Sequence, residues 1–188
     1  TILILQSGLR NVAVGDDTYG YSFTFIEAQQ SSWNEIIHTF INYYKFGEGK
    51  DPGYNIFQKI IQLVTDSYQV YLFFVSLIFF TAFGNFLYRN TTRLIDVIIA
   101  FVIYSILFYS FYSITGIRQT IATAFTLYSY EFIKKKKILP FLILVLLAST
   151  IHKSALIFIP FYYIAQIKKT KYFYNIILFL FPFFMIFK

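Results

Sequence analysis

Hydrophobic residues fill most of this chain in long stretches separated by short clusters of lysine and arginine. These stretches predict membrane-spanning helices at residues 70–88, 94–115, 117–133 and 172–187. A further apolar run, residues 138–165, is interrupted at its centre by Ile151-His152-Lys153-Ser154. About 30 residues of helix would be ~45 Å long, which is too long for one straight span and too short for two. We therefore expect a broken or re-entrant helix pair with His152 at its turn.

Two segments before the first span have apolar residues on one helical face only. Ser32 and Glu35 predict a capping box at the start of the first segment. Asp51, as an N-cap residue, and Pro52, at the first helical position, predict the start of the second. Both segments are too polar to span a bilayer, so we expect amphipathic helices that lie on the membrane surface or dock on the bundle.

The cationic clusters predict the orientation of the spans. Clusters at residues 89–93, 134–137 and 168–171 all belong on the cytoplasmic side by the positive-inside rule. Residues 113–119 and His152 then lie on the opposite side, together with residues 6–69 and both amphipathic helices. The sequence thus predicts an all-α, polytopic helical membrane protein, with an extracytoplasmic segment over 6–69 and transmembrane helices over 70–188.

The first residue is Thr1, and the only methionine is Met185. We therefore expect residues 1–188 to form a single membrane domain that is part of a longer protein.

Composition narrows the possible functions. Hydrophobic residues make up 57% of the chain and aromatic residues 23%. A water-soluble domain of this size could not bury so many apolar side chains. It contains no cysteine, which excludes disulfides and thiolate metal sites. The net charge of +7 reflects the cationic clusters beside apolar runs, so no nucleic-acid partner is expected. There is no phosphate-binding glycine loop, dinucleotide fingerprint or nucleophile elbow, and no cofactor or metal is expected.

Arg118 is the leading candidate for chemistry, because it stands where a spanning helix begins. A charge at that position costs several kcal/mol and is usually retained for a partner or substrate. Gly116 opens the local backbone, Gln119 adds a polar neighbour, and helix N-termini favour anions. Arginine also suits phosphate through its bidentate fork. The simpler alternative is that Arg118 extends to lipid headgroups.

His152 is the second candidate, because an ionisable group inside an apolar run is a functional hypothesis by default. Histidine serves as a general base near neutral pH, or donates to phosphate when charged. Lys153 would raise the local positive potential, or point to headgroups. The alternative for His152 is a turn residue whose ring bonds to the backbone.

The remaining candidates are acidic and aromatic. Asp16 and Asp17 either cap the segment from Thr18 onward, or one of them binds a sugar hydroxyl, orients Arg10 or acts as a base. Asp51 is adequately explained as an N-cap. Several tyrosines in this polar region could stack on sugar rings, namely Tyr19, Tyr21 and Tyr54.

Four motifs in order resemble the EpsG family, a Wzy-like group of exopolysaccharide and capsule repeat-unit polymerases. They are Arg10 with Gly15-Asp16-Asp17-Thr18-Tyr19, then Asp51-Pro52-Gly53-Tyr54, Gly116-Ile117-Arg118-Gln119 with Ala122, and Ile151-His152-Lys153-Ser154-Ala155-Leu156. The family usually has Glu-Pro-Gly and often Gly-Thr-Asp where this chain has Asp51-Pro52-Gly53 and Gly15-Asp16-Asp17. Members of this family are longer than this chain, so the resemblance implies that the chain corresponds to their middle portion.

The resemblance implies a multi-pass polymerase of the bacterial inner membrane, which joins polyprenyl-diphosphate-linked oligosaccharide repeats at the outer face. It would act among membrane lipids and other exopolysaccharide synthesis and export proteins. Arg118 would stabilise the departing diphosphate, assisted by Arg10 or Lys153, and His152, Asp16 or Asp17 would take the acceptor proton. Substrate contacts would come from the remaining candidates, Tyr19, Asp51, Tyr54 and Gln119.

Two other functions fit the same residues. A flippase or transporter of a lipid-linked glycan would use Arg118 for binding alone, although polar groups gathered at one face favour an enzyme. A structural subunit of a synthesis complex would use Arg118 and His152 only to hold helices together.

Overall fold

The computed structural model describes residues 1–15 and 17–167, and every regular element in that part of the chain is helical. The helices are α1 (Ile2–Gly8), α2 (Thr18–Gln30), α3 (Trp33–Phe46), α4 (Pro52–Ile61), α5 (Tyr68–Asn90), α6 (Leu94–Ile103), α7 (Ile117–Lys134), α8 (Ile138–Ile151) and α9 (Ile159–Ile164). Two π-helical turns, Tyr104–Phe108 and Phe111–Thr115, follow α6, and a 3₁₀ segment, Lys153–Phe158, precedes α9. The predicted all-α class is confirmed for these residues. The cations at 168–171 and the predicted span at 172–187 lie outside the described residues.

Among the described helices, α5 alone has the length and hydropathy to cross a membrane, with 23 residues from Tyr68 to Asn90. Shorter apolar helices occupy Leu94–Phe108, Ile138–Ile151 and Lys153–Ile164. None of the residues of α6 is buried, and Leu94 is 76% exposed. The multi-pass arrangement and the single membrane domain with its division near residue 69 therefore stay predictions.

Helices α5, α7 and α8 form the centre of the bundle, and contacts at both ends show that α5 and α7 run in the same direction. At one end, Tyr71 and Leu72 of α5 share a hydrophobic cluster with Ile117 and Ile121 of α7. At the other end, Arg89 Nη1 lies 3.7 Å from Glu131 Oε2, and Lys134 Nζ donates to Asn90 Oδ1 at 3.0 Å. The clusters at 89–93 and 134–137 therefore lie at one end of the bundle, away from the first turn of α7.

The apolar run after residue 137 is broken at His152. Helix α8 ends at Ile151, and His152 has extended backbone angles, φ −153° and ψ 117°. The chain then returns along α8: the rings of Phe141 and Tyr162 are 5.1 Å apart, and Gln166 Nε2 donates to the Ile133 carbonyl at 3.1 Å. Because α8 has 14 residues, it is about 21 Å long, shorter than a bilayer core of about 30 Å.

The two amphipathic segments form α3 and α4. The predicted capping box is confirmed: Glu35 N donates to Ser32 Oγ, and Ser32 N donates to Glu35 Oε2. Several apolar side chains of α3 stay exposed, for example Ile37 at 47% and Ile41 at 41%. Such a face fits a membrane surface better than a bundle core.

Helix α4 packs on α2 and α8. Lys59 Nζ donates to the carbonyls of Ala28, Gln29 and Ser31 at 2.7–3.1 Å, so one side chain satisfies the free carbonyls at the end of α2. The hydrophobic pattern does not single out α2, because apolar residues such as Phe23 and Ile26 also lie on its exposed face. The contacts with α2 and α8 hold α4 against the bundle.

Candidate active site

Asp51 lies at the centre of a buried polar cluster. Its side chain is 2% exposed, and its backbone has a left-handed conformation, φ 49° and ψ 54°, directly before Pro52. The next residue, Gly53, lies so close to α8 that a Cβ atom there would overlap the Thr150 side chain. Only glycine allows this approach, which sets Asp51 against the end of α8.

Both carboxylate oxygens of Asp51 are engaged. Arg118 Nη1 lies 3.0 Å from Oδ2, and His152 Nδ1 lies 3.2 Å from the same oxygen. The backbone N–H of Lys153 donates to Oδ1 at 3.2 Å. Asp51 occupies the N-cap position of α4, but its side chain makes no capping hydrogen bond, so the interpretation of Asp51 as a simple N-cap was wrong. Its carboxylate joins α4, α7 and the break after α8, and we call this unit the Arg118–Asp51–His152 bridge.

Arg118 is held by more than the ion pair. Gly116 precedes the first turn of α7, and the guanidinium lies over the ring of Tyr21, 5.5 Å from its centre, a distance suited to a cation–π contact. The side chain is 25% exposed, while its Nε is buried and has no hydrogen-bond partner among the described residues. The arginine therefore has donor capacity that its protein contacts do not use.

The contact with Asp51 fixes the tautomer of His152. A carboxylate paired with arginine can only accept, so Nδ1 of His152 must carry the hydrogen in this contact. A neutral imidazole then keeps its lone pair on Nε2. The His152 side chain is 17% exposed and lines a cavity, so Nε2 is the atom available to a ligand.

A cavity of about 400 Å³ adjoins the arginine, and we call it the Arg118 cavity. Besides Arg118, its lining includes Asp17, Tyr21, Thr24, Lys50, Tyr54 and Asn55. The hydroxyls of Tyr54 and Tyr71 are buried near each other, and neither has a hydrogen-bond partner within 3.5 Å in the described structure. Burial also raises the pKa of Tyr54 well above its usual value, so this hydroxyl remains a donor at neutral pH.

A second cavity, of about 570 Å³, adjoins the histidine, and we call it the His152 cavity. Besides Asp51 and His152, its lining includes Tyr43, Tyr44, Lys50, Ser149 and Lys153. Lys50 thus lines both cavities. The bridge contributes Arg118 to the first cavity and both Asp51 and His152 to the second.

Other predicted site residues lie apart from the bridge. Arg10 Nη1 donates to the Ser7 carbonyl at 2.7 Å, and burial lowers the pKa of Arg10. Tyr19 is 55% exposed and lines neither cavity. Gln119 lines a different cavity of about 230 Å³, beside Ser154 and Phe158.

Of the acidic pair Asp16 and Asp17, the structure describes Asp17. Asp17 occupies the N-cap position of α2, which begins at Thr18 as the capping interpretation requires, but its side chain makes no capping hydrogen bond. Asp17 also lines the Arg118 cavity. Asp16 lies outside the described residues.

Several residues that line these cavities were not among the candidates drawn from the sequence, among them Tyr43, Tyr44, Lys50 and Asn55. Lys50 and Asn55 flank the Asp51-Pro52-Gly53-Tyr54 motif, so their proximity to it was the available signal. Tyr43 and Tyr44 end a helix whose pattern indicates only amphipathicity, and nothing local connects them to His152.

The fold and the site define an all-helical protein with an arginine–carboxylate–histidine bridge between two polar cavities. The family model of the EpsG family matches residues 1–188, the whole chain, and the chain belongs to this family. The resemblance seen in the four sequence motifs is thereby confirmed, and membership associates the chain with exopolysaccharide synthesis and a Wzy-like function. No curated protein and no solved structure matches the chain.

Proposed function

We propose that this chain is the catalytic membrane domain of a polysaccharide polymerase, a glycosyltransferase that joins polyprenyl-diphosphate-linked oligosaccharide repeats. The single observation that carries this proposal is the contact of Arg118 and His152 with one oxygen of Asp51. Arg118 is a cation suited to phosphate and His152 is a candidate base, and both lie beside one carboxylate oxygen. Family membership supports the proposed substrate class.

The position of the bridge supports a reaction at the outer face of a bacterial inner membrane. Arg89 and Lys134 mark one end of the bundle, and the bridge lies at the other end, beside the first turn of α7. Under the positive-inside rule, the cationic end faces the cytosol and the bridge faces outward. The exposed apolar surface of α6 supports a multi-pass arrangement among lipids.

The reaction is a glycosyl transfer. The oxygen of an acceptor hydroxyl forms a bond to the anomeric carbon of the donor sugar, and the bond from that carbon to the diphosphate oxygen breaks. The electron pair leaves with the diphosphate, and the hydroxyl proton passes to Nε2 of His152. Arg118 stabilises the charge that develops on the departing diphosphate. Asp51 is a positioning residue, which orients both groups.

A structural role is the second candidate, because the same bridge ties together α4, α7 and the end of α8. In vitro polymerisation separates the two functions: the purified full-length protein is incubated with synthetic lipid-linked repeats, and products are resolved as a ladder on a gel. We expect His152→Asn to abolish the ladder while the protein keeps its melting temperature, with His38→Asn as the matched control on the exposed face of α3. A wild-type protein that is folded but yields no ladder would support the structural role instead, and loss of folded protein in His152→Asn with full activity per folded molecule would show that His152 serves folding and not catalysis.

A further inference from the structure

The two cavities differ in the chemistry they offer, although Lys50 lines both and each is lined by a different part of the bridge. A polymerase must bring two glycans to one point, so two adjoining spaces with a common wall suit two reactants. Which reactant binds where follows from the hydrogen-bonding groups on each side.

The Arg118 cavity is rich in unused donors. Arg118 Nε and the Tyr54 hydroxyl are buried and have no partner among the described residues, and an unpaired buried donor is costly. The amide of Asn55 adds a donor to the lining, whereas the Thr24 hydroxyl already donates to the Tyr21 carbonyl at 3.0 Å. A ligand with several acceptor oxygens and negative charge satisfies such a set, and a diphosphate has both properties.

The His152 cavity offers a base and aromatic surfaces. His152 holds its hydrogen toward Asp51 and leaves Nε2 free, as a base that receives a hydroxyl proton requires. Tyr43 and Tyr44 lie in the same lining, with their ring centres 5.1 Å apart in an edge-to-face arrangement. Aromatic rings with an exposed face present the apolar surface and the polar tip that a sugar ring can use.

We propose that the donor's diphosphate binds in the Arg118 cavity and the acceptor sugar binds in the His152 cavity, so that transfer takes place across the Arg118–Asp51–His152 bridge. This assignment rests on the proposed function and adds to it the place of each reactant. It also makes Tyr54 a specificity residue for the diphosphate, and Tyr43 and Tyr44 specificity residues for the acceptor.

The proposed binding of the diphosphate in the Arg118 cavity is tested by a direct binding measurement, which requires no catalytic turnover. Geranylgeranyl diphosphate is titrated into the detergent-solubilised full-length protein, and Kd is measured for the wild type, Tyr54→Phe, Tyr44→Ala and the control Tyr88→Phe. A lost hydrogen bond to a charged group predicts a rise in Kd of at least about tenfold for Tyr54→Phe. Tyr44→Ala and Tyr88→Phe should keep the wild-type value, since Tyr88 is 86% exposed at the opposite end of α5.

The acceptor half is tested by initial rates with a lipid-linked donor and a repeat-unit glycoside that has no diphosphate. Tyr44→Ala should raise the KM for the glycoside about three- to tenfold and leave the KM for the donor unchanged. Tyr54→Phe should raise the KM for the donor and leave the KM for the glycoside unchanged. Melting temperatures confirm that each variant is folded, and Tyr54→Phe should melt at or above the wild-type temperature because it removes an unpaired buried hydroxyl.

Each outcome decides a separate claim. The assignment would be overturned if Tyr44→Ala weakened diphosphate binding and Tyr54→Phe weakened acceptor binding. It would also be overturned if both variants affected both substrates equally, or if the wild type did not bind the diphosphate. Tyr54-dependent binding in a protein that transfers no sugar would contradict the proposed polymerase while supporting the place of the diphosphate.

Discussion

Arg118 and His152 come from different helical elements and contact the same atom, Oδ2 of Asp51, at 3.0 and 3.2 Å. Without this carboxylate, the charge of Arg118 would be left partly buried and unpaired, and Nδ1 of His152 would lose its hydrogen-bond partner. The relationship makes the three side chains interdependent, because removing one changes the position and charge balance of the other two.

Asp51→Asn should reduce stability and activity together. The substitution removes the negative charge that Arg118 faces, and losing one partner of a buried pair costs up to about 3–5 kcal/mol. Because Arg118 is 25% exposed, solvent screening lowers the expected cost to about 1–3 kcal/mol. Thermal unfolding in detergent measures it, with Asp96→Asn as the control on a more exposed pair. An Asp51→Asn protein as stable as the wild type would contradict a structural contribution from the bridge.

His152→Asn and His152→Ala should separate orientation from proton transfer. Asparagine can still donate a hydrogen bond to Asp51 but has no base at the position of Nε2, so the variant should fold normally. Polymerisation should fall about 10²–10⁴-fold in both variants. Melting temperature should fall only in His152→Ala, where the hydrogen bond to Asp51 is lost. Retention of more than a tenth of the activity in His152→Asn would show that His152 is not the base.

Gly53→Ala should destabilise the protein by about 1–3 kcal/mol, because the new methyl group overlaps Thr150 and forces α4 away from α8. Gly84→Ala provides the matched control, since a Cβ atom at Gly84 meets no atom within 4 Å. In the interior of α5, that change should be neutral or stabilising by about 0.5–1 kcal/mol. Equal melting temperatures for the two variants would mean that α4 does not pack as closely as described.

Protonation of Glu35 should weaken α3. Hydrogen bonds from Ser32 lower the pKa of Glu35 below its ordinary value of 4.5, so the stabilisation is present above pH 4.5 and is lost as the pH falls through the lowered pKa. Circular dichroism of a peptide covering residues 31–47 in micelles should show helicity that decreases in this range. Glu35→Gln should remove the pH dependence, and an unchanged profile in that variant would refute the role of the capping box.

The parts of the fold that depend on local sequence were predictable, as the capping box of Ser32 and Glu35 shows. The break at His152 was predictable as well, because the apolar run is too long for one span. Asp51 shows where this reasoning stops: its position before Pro52 predicts a cap, but the close approach allowed by Gly53 directs the carboxylate to Arg118 and His152. Tertiary packing of this kind, which also brings Tyr43 near His152, leaves no periodic pattern in the sequence.

The central claim is that the bridge and both cavities face away from the cytosol, and cysteine accessibility tests it most directly. The chain has no cysteine, so Lys50→Cys, Lys153→Cys, Arg93→Cys and Lys135→Cys each give a single labelling site. On intact cells, a membrane-impermeant maleimide should label positions 50 and 153 and should reach positions 93 and 135 only after permeabilisation. Labelling of positions 93 and 135 on intact cells, with 50 and 153 protected until permeabilisation, would place the site on the cytosolic side and contradict the proposed function.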